Sequence, residues 1–353
     1  MLDAIEDRRR RPVRRLATDQ VTLSHGAGGR ASRDLIESVF LGHLGNPALN
    51  PLDDSAVLGI SPGTSRLAFS TDSFVVKPLF FPGADIGKLA VHGTVNDLAV
   101  SGARPLALSA GFIIEEGFPI SSLERIAASI AAAGAEAGVA VAAADTKVVE
   151  RGKADGVYIN TSGVGALRPG VELSTGQIRA GDRLIVSGTI GDHGMAIMVS
   201  RGELSLEADL ESDTAPLGGL VEALLDATDG VRCMRDPTRG GLATVLAEMA
   251  LASELGFAVS EAALPVRPEV AGACEILGID PLHVANEGKL LAIVEEHGAE
   301  RALAALRAHP LGTDAAIIGE VRPEPPGMVL LETSFGGGRV IDMLAGDPLP
   351  RIC

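Results

Sequence analysis

The stretch "DIGKLAVHGTVNDLAVSGARP", residues 85–105, decides the fold that this sequence predicts. Gly102 and Pro105 supply a stop signal at its end. An extended apolar run, "RLAFSTDSFVV" at 66–76, comes before it. The stretch is predicted to be a helix, because its apolar residues recur near helical spacing, at Ile86, Leu89, Ala90, Val95, Leu98 and Ala99.

Further helices and strands are predicted on both sides of a connecting segment around residues 168–181. Before it, we predict a helix at 121–138 and strands at 139–149 and 156–167. After it, we predict a strand at 182–188, a capped helix in "RDPTRGGLATVLAEMALASELG", and strands at 289–294 and 327–332, the last closing the domain. Two consecutive halves, each with both helices and strands, predict a two-domain α+β protein. The predicted parts are a disordered basic leader at 1–20, domains at 21–168 and 171–345, and a mobile, poorly tethered tail at 346–353.

Size and charge narrow the function classes. A chain of 353 residues is expected to form about two domains. The net charge of -16, with no Trp and one Tyr, argues against nucleic-acid binding. No apolar run is long enough to cross a bilayer, and the basic N-terminus lacks the apolar stretch of a secretory signal. We therefore expect a soluble, cytoplasmic protein that binds neither nucleic acid nor membrane.

The three cysteines are too far apart to form a zinc site or a disulfide framework. Cys274 lies in an Ala-rich segment and is expected to be a small packed side chain. Cys233 is close to a candidate site motif, but nothing requires a role for it. Cys353 is the last residue of the sequence, where no core is expected to shelter an easily oxidised thiol, so it calls for a functional explanation.

Aspartates in short polar breaks between apolar runs are the main chemical signal. A lone Asp usually forms a turn or caps a helix, and Asp236 fits that interpretation well. Asp97 does not, because it falls in the last turns of the predicted helix, where the helix dipole disfavours an anion. Several such carboxylates could instead share a hard cation such as Mg²⁺. The candidates are Asp53, Asp54, Asp72, Asp97, Asp145 and Asp236.

A glycine-rich loop, "SHGAGGR" at 24–30, precedes a predicted helix. Its backbone N–H groups could converge on an anion, although the loop matches neither GxxxxGK[ST] nor GxGxxG and could be only a turn. Together with the acidic residues it indicates a metal-dependent nucleotide enzyme.

The ordered motifs resemble a known family. "DDSAVL", "STDSF", "NDLAVSGARP", "DTKVV", "RDPTRGGL" and "NEGK" are similar to the ATP-dependent superfamily of aminoimidazole ribotide synthetase, selenophosphate synthetase and thiamine-phosphate kinase. With "SHGAGGR" in front and "PRIC" at the end, residues 21–353 resemble its hydrogenase-maturation branch, the carbamoyl dehydratases. The resemblance implies a PurM-like fold, a homodimer paired through the N-terminal domains, and ATP in the cleft between the domains.

The resemblance also implies site residues. The metal ligands would be Asp54, Asp97 and Asp236, and the nucleotide-binding residues would be His25, Gly26, Gly28, Gly29, Asp72 and Asp145. Lys147 would neutralise charge on the phosphoryl oxygens, and Glu287 would act as general base. Without the resemblance, Lys147 is a surface lysine and Glu287 a turn carboxylate.

The chemistry implied by the resemblance uses Cys353 as a carrier. A carbamoyltransferase, HypF, would place a carbamoyl group on its thiol, and ATP with Mg²⁺ would drive dehydration to a thiocyanate. The cyanide would pass to the iron of a nickel-iron hydrogenase through the HypC–HypD assembly complex. Two alternatives are a sister synthetase or kinase of the superfamily and a non-catalytic scaffold that docks through its tail.

Overall fold

The computed structural model describes residues 29–40, 50–59, 66–202, 209–344, 346, 349 and 351–353. Its first half contains, in chain order, α1 (Arg30–Leu35), a π-helical turn (Ile36–Phe40), β1 (Ala56–Gly59), β2 (Arg66–Phe74), β3 (Phe80–Phe81), β4 (Ala84–Asp85), α2 (Ile86–Val100), β5 (Ala103–Glu115), α3 (Ile120–Glu136), β6 (Val141–Val149) and β7 (Val157–Leu167). Five of the strands form one sheet in the order β1-β2-β7-β5-β6. No helix within the described ranges is long and apolar enough to cross a membrane.

The helix α2 confirms the prediction for residues 85–105. Asp85 caps it, accepting hydrogen bonds from the backbone N–H groups of Gly87 at 2.7 Å and Lys88 at 3.1 Å. Almost every residue of α2 is buried, because one side lies on the sheet and the other sides meet α3 and the second half of the chain. Gly163 on β7 allows the close approach: a Cβ there would lie 2.8 Å from the Leu98 side chain.

The second half is built on a seven-stranded sheet in the order β14-β13-β10-β12-β8-β11-β9. Its elements are β8 (Arg183–Val186), α4 (Asp192–Ser200), α5 (Gly218–Ala227), β9 (Val231–Arg235), α6 (Gly241–Ser253), β10 (Gly256–Ser260), α7 (Pro268–Leu277), β11 (Leu291–Val294), α8 (Glu296–Ala308), β12 (Ala316–Arg322), β13 (Val329–Glu332) and β14 (Gly338–Ile341). Apolar clusters cover both faces of this sheet, one including α6 and the other α5 and α8.

Two expectations for the second half are corrected. The strand predicted at 327–332 is not the last, because β14 pairs with it antiparallel. The helix α6 has no side-chain cap: its N-cap is Gly240 in the left-handed conformation, with φ 76°. Asp236 therefore does not have the capping role that its sequence context favoured.

The buried Asn96 joins the two halves from the last turns of α2. Its side-chain amide donates to the carbonyl oxygens of Ala215 at 3.0 Å and Glu287 at 3.1 Å. Its carbonyl accepts from the backbone N–H of Leu217 at 2.8 Å. These bonds fix the end of α2, and thus Asp97, against the second half of the chain.

Candidate active site

Three aspartates meet where the two halves face each other. Asp54 precedes β1, Asp97 lies near the end of α2, and Asp236 follows β9 directly. One carboxylate oxygen from each lies within 4.8 Å of the others. The structure thus brings together the three residues that the sequence predicted as metal ligands; their role as ligands stays a prediction.

The three carboxyl groups share an environment that disfavours negative charge. Burial raises the pKa of each, and the other acids raise the pKa of Asp97 and Asp236 further, to well above the usual range. The Oδ2 atom of Asp54 is buried and has no hydrogen-bond partner among the residues that the structure describes. A divalent cation bound by carboxylate oxygens would satisfy this atom and relieve the repulsion, so these residues fit Mg²⁺.

Other side chains hold the cluster in place. The hydroxyl of Ser70 on β2 donates to an Asp97 oxygen and lies 3.0 Å from the Asp54 backbone oxygen. The guanidinium of Arg235, at the end of β9, donates to Asp54 and, at 3.1 Å, to the Leu52 backbone oxygen. Only one of the three acids therefore has a direct cationic partner among the described residues.

Asp72 and Arg239 lie next to the three aspartates. We call the region between the two halves that holds these residues the cleft. Asp72 lies on the face of β2 that meets α2, and its carboxylate is 4.0 Å from the Arg239 guanidinium. Burial raises the pKa of Asp72, and Arg239 partly opposes this. The pKa of Arg239 is itself raised, first by the negative charge of Cys353 and then by Asp72 and Glu287. The Arg239 guanidinium thus interacts electrostatically with both the end of the chain and the acidic residues.

Glu287 is buried beside the same acids. Its backbone N–H donates to Asp213 at 2.9 Å, and Asp213 pairs with Lys289 at 3.3 Å. Burial, followed by the charges of Asp236 and Asp213, raises the pKa of Glu287 well above its usual range. A carboxyl group in this state holds its proton strongly and becomes an effective base once the proton has left.

The tail occupies the cleft. Cys353 is only 8% exposed, and it packs with Ile352 into the core around α2. The backbone N–H groups of Val75 and Lys77 donate to the carbonyl oxygens of Cys353 at 3.1 Å and Arg351 at 3.0 Å. The expectation of a poorly tethered tail is therefore corrected for this conformation: the last residues pair antiparallel with the chain after β2, and their apolar side chains are buried.

Asp145 and Lys147 lie away from this cleft, which corrects the expectation that they line it. Both are exposed on β6, where they pair with each other at 2.5 Å. In the register of the sheet, Asp145 sits opposite Gly111 and Asn160, on the face turned away from α2. Three strand spacings separate β6 from β2, so about 14 Å of sheet lies between Asp145 and Asp72. Lys147 therefore cannot serve this cleft from within the same chain.

The glycine-rich loop is described only at its end. His25, Gly26 and Gly28 lie outside the described residues, and their predicted role over the phosphates stays a prediction. Gly29 is buried at the start of α1, where a Cβ would lie 2.3 Å from the backbone oxygen of Leu344. The loop thus ends against the residue from which the tail departs.

The two other cysteines are poorly suited to chemistry. Burial raises the pKa of Cys233 to about 12 and that of Cys274 to about 11. Both thiols are buried and stay protonated at neutral pH.

Residues 52–167 and 179–330 match the N-terminal and C-terminal domain models of AIR synthase related proteins. The carbamoyl dehydratase HypE of Rhizobium leguminosarum bv. viciae is 53% identical over 339 residues, which is 96% of each chain. The chain belongs to the HypE family of carbamoyl dehydratases. The resemblance and the PurM-like fold inferred from the sequence motifs are confirmed.

Two solved HypE structures are similar along most of their length. HypE in a HypE–HypF complex superposes with a TM-score of 0.83 at 48% identity, covering 88% of this chain and 99% of that one. HypE in complex with ATP superposes with a TM-score of 0.79 at 48% identity, covering 95% and 100%. Membership in the HypE family favours the dehydratase over a sister synthetase or kinase.

Residues that the sequence analysis did not select complete the cleft. Arg235 and Arg239 flank Asp236 in "RDPTRGG", and a charged side chain on each side of a candidate ligand was the available signal. His193, which contacts the tail, carried no comparable signal, because it is a single His within an apolar helix.

Proposed function

We propose that this chain is an ATP-dependent carbamoyl dehydratase that converts a carbamoyl group on Cys353 into a thiocyanate. The cyanide would then serve the iron of a nickel-iron hydrogenase. One observation carries the proposal: the tail is docked with Cys353 buried beside β2, the strand whose Asp72 lies 4.0 Å from Arg239, and the charges of Cys353 and Asp72 both act on the Arg239 guanidinium. A scaffold that docks only through its tail has no need for desolvated carboxylates at that point.

The reaction needs an activated oxygen, because the oxygen of a carbamoyl group is a poor leaving group. ATP would transfer its terminal phosphoryl group to this oxygen, giving ADP, one proton released from the nitrogen, and an imidate phosphate attached to the sulfur. Loss of the remaining N–H proton and of inorganic phosphate then leaves S–C≡N. Asp54, Asp97 and Asp236 would hold Mg²⁺, which when bound would neutralise phosphate charge.

Three further side chains would remove the proton, neutralise charge and hold the cationic group in place. Glu287, once deprotonated, would take the N–H proton, as its buried position and raised pKa favour. Arg239 would offset negative charge next to the sulfur and the leaving phosphate. Asp72 would hold Arg239 in place, since the two groups lie 4.0 Å apart.

A homodimer would explain the position of Lys147. The sheet face that bears Lys147 also exposes Ile113 and Phe69, which are 46% and 42% accessible, and no described helix packs on it. A second copy placed on this face would cover these apolar side chains and bring Lys147 and Asp145 towards the partner's cleft. We therefore propose that Lys147 acts on the phosphates of the partner subunit.

The proposed partners follow the same chemistry. HypF, which is present with a relative in one solved complex, would supply the carbamoyl group. The HypC–HypD complex would accept the cyanide, and the reactions would take place in the cytoplasm.

Mass spectrometry of the tail peptide tests the proposal. After incubation with HypF, its carbamoyl donor and ATP, the peptide should first gain one carbamoyl group and then lose one water. Cys353→Ala should show neither change, whereas Cys274→Ala should show both. A tail that is carbamoylated but never loses water in the presence of ATP and Mg²⁺ would reject the dehydratase and favour the scaffold.

A further inference from the structure

His193 contacts the tail directly. It is fully buried at the start of α4, and its Nε2 lies 2.6 Å from the Ile352 carbonyl oxygen. A carbonyl only accepts, so Nε2 carries the proton and Nδ1 accepts from the Ser212 hydroxyl at 2.8 Å. Burial lowers the pKa of His193, which keeps the ring neutral and preserves this tautomer. The edge of Phe81, 5.7 Å away between ring centroids, holds the ring plane.

Arg351 makes a second set of contacts. Its backbone oxygen accepts from the Arg201 guanidinium at 3.0 Å, in addition to the N–H of Lys77. Its side chain donates to the Val75 backbone oxygen at 3.1 Å and forms an ion pair with Asp155. Arg351 also adopts a left-handed backbone conformation, with φ 58°, so its position is determined by several contacts at once.

The groups that hold the tail come from both halves of the molecule. Asp155 precedes β7 in the first half, and His193 and Arg201 lie at the two ends of α4 in the second. Leu349 and Ile352 are 3% and 5% exposed and anchor the same segment in the apolar core. We call Asp155, His193 and Arg201 the tail clasp.

We propose that the tail clasp is a peptide-recognition site that reads Arg351 by charge and Ile352 by its carbonyl, and so positions the sulfur of Cys353 for dehydration. The proposal assigns Asp155 and His193 as positioning residues, not catalytic ones, because they hold the tail through Arg351 and the Ile352 carbonyl. The part that concerns dehydration rests on the proposed function. The recognition itself does not, since it requires only the docked tail.

Alkylation of Cys353 by iodoacetamide, followed on the intact protein, measures how often the tail leaves the clasp. Arg351→Asp and Asp155→Arg each replace an attraction by a repulsion and should raise the alkylation rate at least about fivefold. Combining the two changes restores an opposite pair and should lower the rate below that of either single variant. The ion pair of Arg339 and Asp280, far along the sequence in the second half, supplies matched control reversals that should leave the rate unchanged.

His193→Ala leaves the buried Ile352 carbonyl without its donor and should raise the alkylation rate roughly tenfold. His193→Gln keeps a donor amide and should recover part of the difference. With a carbamoylated tail, both Asp155→Arg and His193→Ala should slow loss of water. Carbamoylation by HypF should proceed at least at the normal rate, because the thiol is more accessible in these variants. A folding defect would instead lower the thermal midpoint and affect both steps.

Two results would overturn the proposal that the tail clasp recognises the tail. One is an alkylation rate that neither single charge reversal changes; the other is a double variant as reactive as the single ones. Because alkylation requires neither ATP nor turnover, these results are separable from a failure of the dehydratase proposal, which the mass of the tail peptide reports.

Discussion

Two features of its position make a negative charge on Asp97 unfavourable. It lies near the C-terminal end of α2, where the helix dipole opposes a negative charge, and the carboxylates of Asp236, Asp72 and Asp54 add to the repulsion. Within the described part of the chain, Ser70 donates the one side-chain hydrogen bond that favours the charged form of Asp97. Such an arrangement is stable as an anion only when a cation compensates it.

Magnesium binding should therefore depend on pH. The raised pKa values of Asp97 and Asp236 mean that protons compete with the cation, so affinity should increase as the pH rises and binding should release protons. Calorimetry in buffers of different ionisation enthalpy measures both effects. Asp97→Asn should weaken binding at least about tenfold, whereas exposed Asp209→Asn should not. An affinity that does not change with pH would argue against these ligands.

Glu287→Gln should lower the rate of water loss by about 10²- to 10⁴-fold, because the amide cannot accept a proton. In the wild-type protein the rate should rise with pH, since the pKa of the Glu287 carboxyl is raised and only its deprotonated form acts as base. Single-turnover kinetics on carbamoylated protein give both results. The exposed Glu300→Gln is the control; a pH-independent rate in the wild type would assign the proton transfer to another group.

At this scale the sequence predicted the metal candidates but not their surroundings. Asp54, Asp97 and Asp236 interrupt apolar runs, a pattern that burial makes costly and that sequence alone reveals. The contacts of Arg239 and His193 depend on segments more than a hundred residues away, so no local pattern indicates them. Lys147 was assigned from its motif, and a motif does not specify which face of a sheet a side chain occupies.

Among the elements, α2 does the most to join the molecule. Asn96→Ala would leave the Ala215 and Glu287 carbonyls and the Leu217 N–H without partners in a buried place. We expect a loss of about 2 to 4 kcal/mol in the free energy of unfolding, measured by urea titration. Ser121→Ala, exposed at the start of α3, should cost little. A loss equal to that of this control would mean that Asn96 does not join the halves.

The exposed face of the five-stranded sheet, which bears Ile113, leads to a second prediction. Ile113→Glu places a charge among side chains proposed to meet a second copy, so it should convert a dimer to a monomer in sedimentation experiments. Ile276→Glu is the matched control, because Ile276 is 62% exposed on α7 in the other half. A variant that stays dimeric would place the interface elsewhere.

Helical periodicity and apolar runs predicted the bounds of α2 and β7 to within a few residues, because the burial of these elements follows from their local sequence pattern. The tail shows the opposite case. Its prolines and its lack of periodicity predicted a loose segment, yet its partners at Val75 and Lys77 dock it. Pairing of this kind involves backbone groups that every sequence possesses, so composition does not reveal it.

For the whole molecule, the proposed dimer predicts complementation. Lys147→Ala and Glu287→Gln homodimers should both be inactive. In a mixed dimer, one site would combine an intact Glu287 with an intact Lys147 from the partner subunit, so random co-expression should recover about a quarter of the wild-type activity. Purification through two different tags isolates the mixed species. If no activity returns, Lys147 does not act across the interface.

The acidic cluster has a further consequence for how this protein withstands heat. Asp97 and Asp236 crowd like charges into a desolvated place, which burdens the folded state whenever no cation is bound. Replacing either by a neutral residue of the same shape removes that burden. A selection for thermostable variants would thus favour losing the very groups that make the cleft useful, and resistance to heat would be a poor guide to a working enzyme.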